Sequence, residues 1–198
     1  MKRLVLTFDD GPASIYTREL LDLFAAEKIK STFFVVAGNA VQHPEIITRM
    51  KKEGHGIALH SLEHRNALFC SYRYMKHDFF KSMELMKELN CKITYFRPPW
   101  GMRNIFTGSF VKRYHLQMVL WDVMVGDWKA GLTPQILADR IMKKVFDGAV
   151  ICLHDGCEKY GGAKGAPSNT IGALKIVIPK LKEEGYTFVT VEEFYQHA

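Results

Sequence analysis

Asp9 and Asp10 stand side by side ahead of Gly11-Pro12, and His60 and His64 stand four residues apart. These residue types bind metal ions and move protons. Two imidazoles at i and i+4 share one side of a helical turn and reach a single cation. A carboxylate from another segment completes a set of two His and one carboxylate, which leaves positions open for water and substrate. The metalloprotease pattern H-E-x-x-H is absent, because Glu63 precedes His64 instead of following His60. Neighbouring side chains in a regular strand face opposite ways. Just past a strand end, where Gly11-Pro12 forces a turn, Asp9 and Asp10 face one pocket from different directions. One carboxylate then binds a metal while the other stays free as a base. The alternative for this pair is an acidic turn ahead of a helix.

Such groups act together only if the fold brings them together. Leu4 to Thr7 reads as a buried strand ending at the paired acids, and Ile15 to Lys28 as a helix with Leu20, Leu21, Phe24 and Ala25 on one face. Further strands are expected at Ser31–Val36, Gly56–Leu59, Ile93–Phe96, Gln117–Trp121, Ala149–Leu153 and Thr187–Thr190. Helices are expected after His43-Pro44, over Tyr72–Leu89, Asn104–Tyr114 and Asn169–Glu184, and after Thr133-Pro134, with a short one from Glu192. Seven strand–helix units with short apolar strands and no linker predict one α/β domain over residues 1–198. Its parallel strands, covered by outer helices, form a deformed (β/α) barrel of seven or eight strands. In such a fold the chemistry gathers at the carboxyl ends of the strands. Asp9-Asp10, His60 with His64, Arg97, Asp127-Trp128 and His154-Asp155 fall there in successive units. A strand-end Asp alone reads as a helix cap or a solvated turn; five such ends on one barrel read as a site.

Composition narrows the class. The chain has 198 residues, 47% hydrophobic and 24% charged, and a net charge of +6. These are globular values that exclude a disordered tail, a collagen and a disulfide scaffold. The longest uncharged stretch, Ser31 to Gln42, is too short to span a bilayer. The amino terminus meets Asp9 and Asp10 too soon for a signal peptide, so the cytoplasm is the expected compartment. Cys70, Cys91, Cys152 and Cys157 form no C-x-x-C pair and are expected to be free thiols in a reducing compartment. The mild positive charge suits an anionic partner such as cell-wall polymer, nucleic acid or lipid head groups, or is merely solvated.

Five segments together resemble the motifs of the polysaccharide deacetylases, the NodB-homology or carbohydrate esterase 4 family. They are Thr7-Phe8-Asp9-Asp10-Gly11-Pro12, His60-Ser61-Leu62-Glu63-His64, Arg97-Pro98-Pro99-Trp100-Gly101, Asp127-Trp128 and Leu153-His154-Asp155, in the family's order. The closing segment from Gly185 to Thr190 is similar as well. The resemblance implies hydrolysis of an N-acetyl or O-acetyl group from an amino-sugar polymer or oligomer such as peptidoglycan or chitin. The partner is then an acetylated carbohydrate and not a nucleic acid. It implies a divalent metal, most often Zn2+ with Co2+ or Ni2+ also suited, held by Asp10, His60 and His64. By the same resemblance Asp9 is the general base and His154 the general acid. Arg97 holds the base and Asp127 stands behind the acid. Pro99 and Trp100 bound the substrate and supply a backbone donor to the oxyanion. Trp128 and Leu153 wall the acetyl methyl, with ordinary core packing as the alternative for both.

Three positions depart from the family pattern. Met124 stands where a further Asp is frequent, Trp100 where Tyr is common, and the glycine-rich stretch from Gly156 to Pro167 matches nothing. That stretch is either a gate or a solvated connection. A deformylase or deacetylase of a small or lipid-linked sugar is the alternative activity. A phosphatase of the haloacid dehalogenase type needs a carboxylate at position 11, which is glycine. A non-catalytic carbohydrate-binding relic is disfavoured because every expected position is filled.

Overall fold

The computed structural model of the chain describes residues 2–196. Its first half runs β1 (Lys2–Asp9), α1 (Tyr16–Glu27), β2 (Thr32–Val35), α2 (Ala37–Ala40), α3 (Pro44–Lys52), β3 (Gly56–Leu59), α4 (Tyr72–Glu88) and β4 (Tyr95–Phe96). The second half runs α5 (Thr107–Arg113), β5 (Gln117–Met118), β6 (Val123–Met124), α6 (Pro134–Lys144), β7 (Val150–His154), α7 (Ala166–Glu183), β8 (Tyr186–Phe188) and α8 (Val191–Gln196). No helix among the described residues is long and apolar enough to cross a membrane.

Every strand pair is parallel, in the order β5-β4-β3-β2-β1-β7-β6, and β8 pairs with the first half of β1. The two ends of this path, β5 and β6, are consecutive in the chain. Only residues 119–122 join them, so their ends lie at most about 19 Å apart, five Cα steps of about 3.8 Å. Seven strands laid flat would be about 29 Å wide, six spacings of about 4.8 Å. The sheet must therefore curl. It forms an incomplete barrel whose seam runs between β5 and β6, where no ladder joins them among the described residues.

Strand pleating sorts the side chains into two cores. Outward positions such as Leu6, Phe8, Phe33, Leu59, Phe96 and Ile151 pack against the helices, on Phe24, Phe79, Leu137 and Val177. Inward positions Val5, Phe34, Ala58, Tyr95 and Val150, with Val191 from α8, fill the barrel floor. Above that floor the same inward row turns polar: Thr7, Asp9, His60, Arg97, Cys152 and His154. The barrel is thus a dry plug below and a ring of reactive groups above.

The expected alternation is present, with a short extra helix, α2, after β2 and two differences that bear on the site. Gln117–Trp121 is only the two-residue β5, and Val123–Met124 is a separate strand, so Asp127 follows β6 and not β5. The turn from His60 to His64 is not helical, since Ser61 and His64 have φ of 71° and 58°.

Candidate active site

The cation ligands come first, because their geometry is the most constrained. His60 closes β3, and its Nδ1–H donates to the Arg97 carbonyl at 2.7 Å. That bond fixes the tautomer and turns the Nε2 lone pair toward Asp10, 3.4 Å from Oδ1. His64 Nε2 lies 2.9 Å from the same oxygen. Asp10 Oδ1 is fully buried, yet no donor is aligned to hydrogen-bond it. A buried carboxylate oxygen without a donor, facing two imidazole nitrogens, is consistent with a site for a divalent cation. Burial pushes the Asp10 carboxyl up, but the two imidazoles outweigh it and hold the group well below the usual carboxylate range.

Backbone strain builds this arrangement. Asp10, Ser61 and His64 all have positive φ, at a cost of about 1 kcal/mol or more each. Bonds from outside the turn hold them there. Asn39 Nδ2 donates to the Asp10 carbonyl at 2.9 Å, Ala37 N to the Ser61 carbonyl at 2.9 Å, and Leu62 N to Asp78 Oδ2 at 3.1 Å. Two glycines give the acidic turn its room. A Cβ on Gly11 would overlap the Asp155 carboxylate, and one on Gly156 would sit 2.5 Å from the Asp10 carbonyl oxygen. A His60→Ala, His64→Ala double substitution is expected to abolish tight binding of a divalent cation. A full equivalent of zinc surviving dialysis, measured by atomic absorption, would rule this site out.

Beside the cation ligands, Asp9 is held by Arg97. The guanidinium is completely buried, and its Nη1 donates to Asp9 Oδ1 at 2.7 Å and to Thr7 Oγ1 at 2.8 Å. Its Nε and Nη2 donate to the carbonyls of Val119 and Leu120, on the link that crosses the seam. The plane of the group lies over Phe34, 3.9 Å from the ring centre. Asp9 Oδ1 is thereby occupied. Oδ2 is left 3.8 Å from His60 Nε2, with the Cys152 thiol donating to it from behind at 3.4 Å. Burial and the neighbouring Asp9 charge keep that thiol protonated, well above its ordinary range.

Across the cavity, His154 Nδ1–H donates to Asp127 Oδ1 at 2.9 Å. Asp127 Oδ2 accepts from the His154 amide at 2.9 Å and from Thr170 Oγ1 at 3.0 Å, so the carboxylate is locked. His154 Nε2 is the nitrogen left to the cavity, which the residue lines. Burial pulls the imidazole pKa down, but the Asp127 charge and hydrogen bond outweigh it and raise the group to about 9. His154 is therefore cationic at neutral pH. The Trp128 edge packs on it with ring centres 5.0 Å apart.

These groups surround one cavity of about 370 Å3. Its walls include Trp100, Met102, Trp121, Met124, Trp128 and Tyr160. Tyr160 stacks on the His64 ring at 4.2 Å, and Trp100 meets it edge-on at 4.3 Å. The stretch after β7 is thus a wall of the cavity, with a 3-10 turn over Cys157–Tyr160. It is pinned by Asn39 Nδ2 donating to the Tyr160 hydroxyl at 2.9 Å, Lys159 Nζ to Asn39 Oδ1 at 2.6 Å, and the Tyr16 hydroxyl to Glu158 at 3.1 Å.

The structure brings Asp9, Asp10, His60, His64, Trp100, Trp128 and His154 to the cavity, with Arg97 and Asp127 directly behind. Two residues expected at the substrate, Leu153 against the acetyl methyl and Pro99 in the turn of the oxyanion donor, do not line the cavity. Leu153 alternates with His154 along β7, so it faces outward and packs in the helix-side core. Pro99 is buried against a small recess on the α4 side of the turn. Met102, Trp121 and Cys152 were not singled out as site residues by the sequence, and Tyr160 belongs to the stretch from Gly156 to Pro167 that the sequence left open between a gate and a solvated connection. Counting two residues back from His154 along the pleat points to Cys152; nothing local marks Tyr160.

A family profile described as "Polysaccharide deacetylase" matches residues 1–119. A peptidoglycan-N-acetylglucosamine deacetylase of Bacillus cereus is 32% identical over 200 aligned residues, 99% of this chain and 90% of that protein. The peptidoglycan-N-acetylglucosamine deacetylase PgdA of Listeria monocytogenes is 31% identical over 98% of this chain, which spans only 39% of that longer protein. Among solved structures, the Bc1960 peptidoglycan N-acetylglucosamine deacetylase superposes with a TM-score of 0.88 at 28% identity. That match covers 98% of this chain and 88% of the other.

Proposed function

This chain belongs to the polysaccharide deacetylase family, and on that premise we propose that it removes N-acetyl groups from the glucosamine units of peptidoglycan or chitin-like chains. One observation carries the reading: the Asp10–His60–His64 cation site opens onto the same cavity as Asp9 and a cationic His154. We take the cation to be Zn2+, with Co2+ or Ni2+ able to replace it in a set of nitrogen and oxygen donors. When bound, such an ion lowers the pKa of water beside it and polarises the acyl oxygen.

The chain's own groups supply the rest. Asp9 accepts the water proton at Oδ2, since Oδ1 is held by Arg97. The Trp100 N–H, in the turn beside His64, donates to the oxyanion. His154 gives its Nε2 proton to the departing amine, a group that leaves poorly without one. Trp121, Met124 and Trp128 enclose the acetyl methyl and keep bulk water from it.

The sign of the pH dependence follows from the acid. Turnover requires protonated His154 and falls as pH rises through its pKa, at or below about 9, because a bound dication pulls it down. Asp127→Asn removes the charge that raises this pKa while burial still lowers it. The alkaline limb of kcat against pH is therefore expected to move down by one unit or more (about 1.4 kcal/mol per unit). An unmoved limb would take the acid role from His154.

The direct test measures acetate release from peptidoglycan fragments and chitooligosaccharides, with added zinc and with a chelator. Formylated and lipid-linked amino sugars complete the panel. Acetate released only with metal present is the expected result. Formate release alone would overturn the acyl group, and metal-independent release would overturn the site.

A further inference from the structure

Two loops beside the cavity mouth hold apolar side chains in water. Phe69 is 87% exposed and Ile105 is 88% exposed, and Leu68 and Met102 beside them are also open. They form one surface, because Asn104 Nδ2 donates to the carbonyls of Ala67 at 2.8 Å and Cys70 at 3.0 Å. That clamp fastens the 3-10 turn Ala67–Phe69 to residues 102–106. The surface adjoins the mouth, since Phe69 borders an open groove that runs along His64 and Trp100.

Charge is segregated onto the same two segments. Residues 64–77 contain no Asp or Glu, and neither do residues 91–121. Exposed Arg65, Arg73 and Arg103 flank the apolar tips. Among the described residues, Arg65 alone of the three has an acidic partner, Glu63 at 3.3 Å. Single apolar residues on a surface need no explanation, but a cluster of them rimmed by cations marks an interaction site. A sugar chain is gripped by flat rings and by hydrogen-bonding groups. Phe69, Tyr72 and Trp100 present rings here, but Leu68, Met102 and Ile105 present neither rings nor hydrogen-bonding groups. Aliphatic and aromatic tips among guanidinium groups match the interface of an anionic bilayer, where apolar tips enter the head-group boundary and cations pair with lipid phosphates.

We propose that this face docks the protein on an anionic lipid bilayer, so that the cavity opens along the membrane surface. The inference goes beyond the deacetylase reading and is read without any turnover. The full chain is centrifuged with vesicles of phosphatidylcholine alone or mixed with phosphatidylglycerol, at low and high salt. Sedimentation with the mixed vesicles is expected, weakened by salt. Phe69→Glu, Ile105→Glu should cut the bound fraction by about tenfold or more. Arg65→Gln, Arg73→Gln, Arg103→Gln should weaken binding and flatten its salt dependence.

Both variants change exposed side chains, so they should melt with the wild type and release acetate from soluble chitooligosaccharide as it does. Wild-type protein left in the supernatant overturns the proposal, as does vesicle binding that survives the Phe69 and Ile105 substitutions. Peptidoglycan sacculi retained through these residues while vesicles are ignored, or self-association through them alone, overturns it too.

Discussion

Asp9→Asn is expected to lower kcat by about 10²–10⁴-fold while one equivalent of divalent metal stays bound. The substitution isolates the proton-accepting role because the amide keeps the shape. Its oxygen still accepts from Arg97 Nη1, which lies 2.7 Å from Oδ1 in the wild type. What disappears is the basic oxygen, Oδ2, which faces the cation ligands. An Asp9→Ala variant would be harder to interpret, since it strands a fully buried guanidinium. Acetate release and metal content are measured on the same sample. An Asn variant that retains more than about a tenth of wild-type turnover gives the proton to some other group. A variant that has lost its metal assigns Asp9 to the cation site.

Arg97→Met is expected to destabilise the fold by about 3–5 kcal/mol, beyond its effect on turnover. Methionine fills much of the volume but donates nothing. Asp9 Oδ1 loses its partner, and so do the carbonyls of Val119 and Leu120 on the link across the seam. The loss falls where the sheet has no ladder of its own, so the guanidinium serves both as the counter-ion of Asp9 and as the clasp of the barrel. Arg97→Lys should recover little, because an ammonium cannot reach the four diverging acceptors that the guanidinium holds. Urea unfolding followed by circular dichroism measures the difference. A Met variant within about 1 kcal/mol of wild type would show that water takes over these bonds and that the seam needs no clasp.

The barrel was legible because apolar runs of four to eight residues, separated by periodic helices, leave few ways to bury them. Val123–Met124 escaped notice because two residues carry no period. Their strand character comes from pairing with Ile151 and Cys152 on β7, a long-range fact. The convergence of His60 and His64 was legible by spacing but for another reason than spacing suggests. His60 and His64 converge through two left-handed residues, not a helical turn, and the bonds that hold that turn from outside come from Ala37 and Asp78. Leu153 looked like a cavity wall because it adjoins His154 in sequence, and adjacency in a strand means opposite faces. The role of the stretch that carries Tyr160 was left open, because the place of this ring over His64 depends on Asn39, 121 residues away in the chain.

The two-sided sorting of the strands also bears on how such a protein diverges. Residues that keep the helices in place and residues that touch substrate alternate along the same strands, but they are never the same side chain on β1 or β7. Drift at an inward position such as His154 therefore changes what is hydrolysed, or whether anything is, while the outward packing of β7 stays as it is; Arg97, which clasps the seam, has no such freedom. A lineage built on this barrel can lose one trade and acquire another while its outline stays the same.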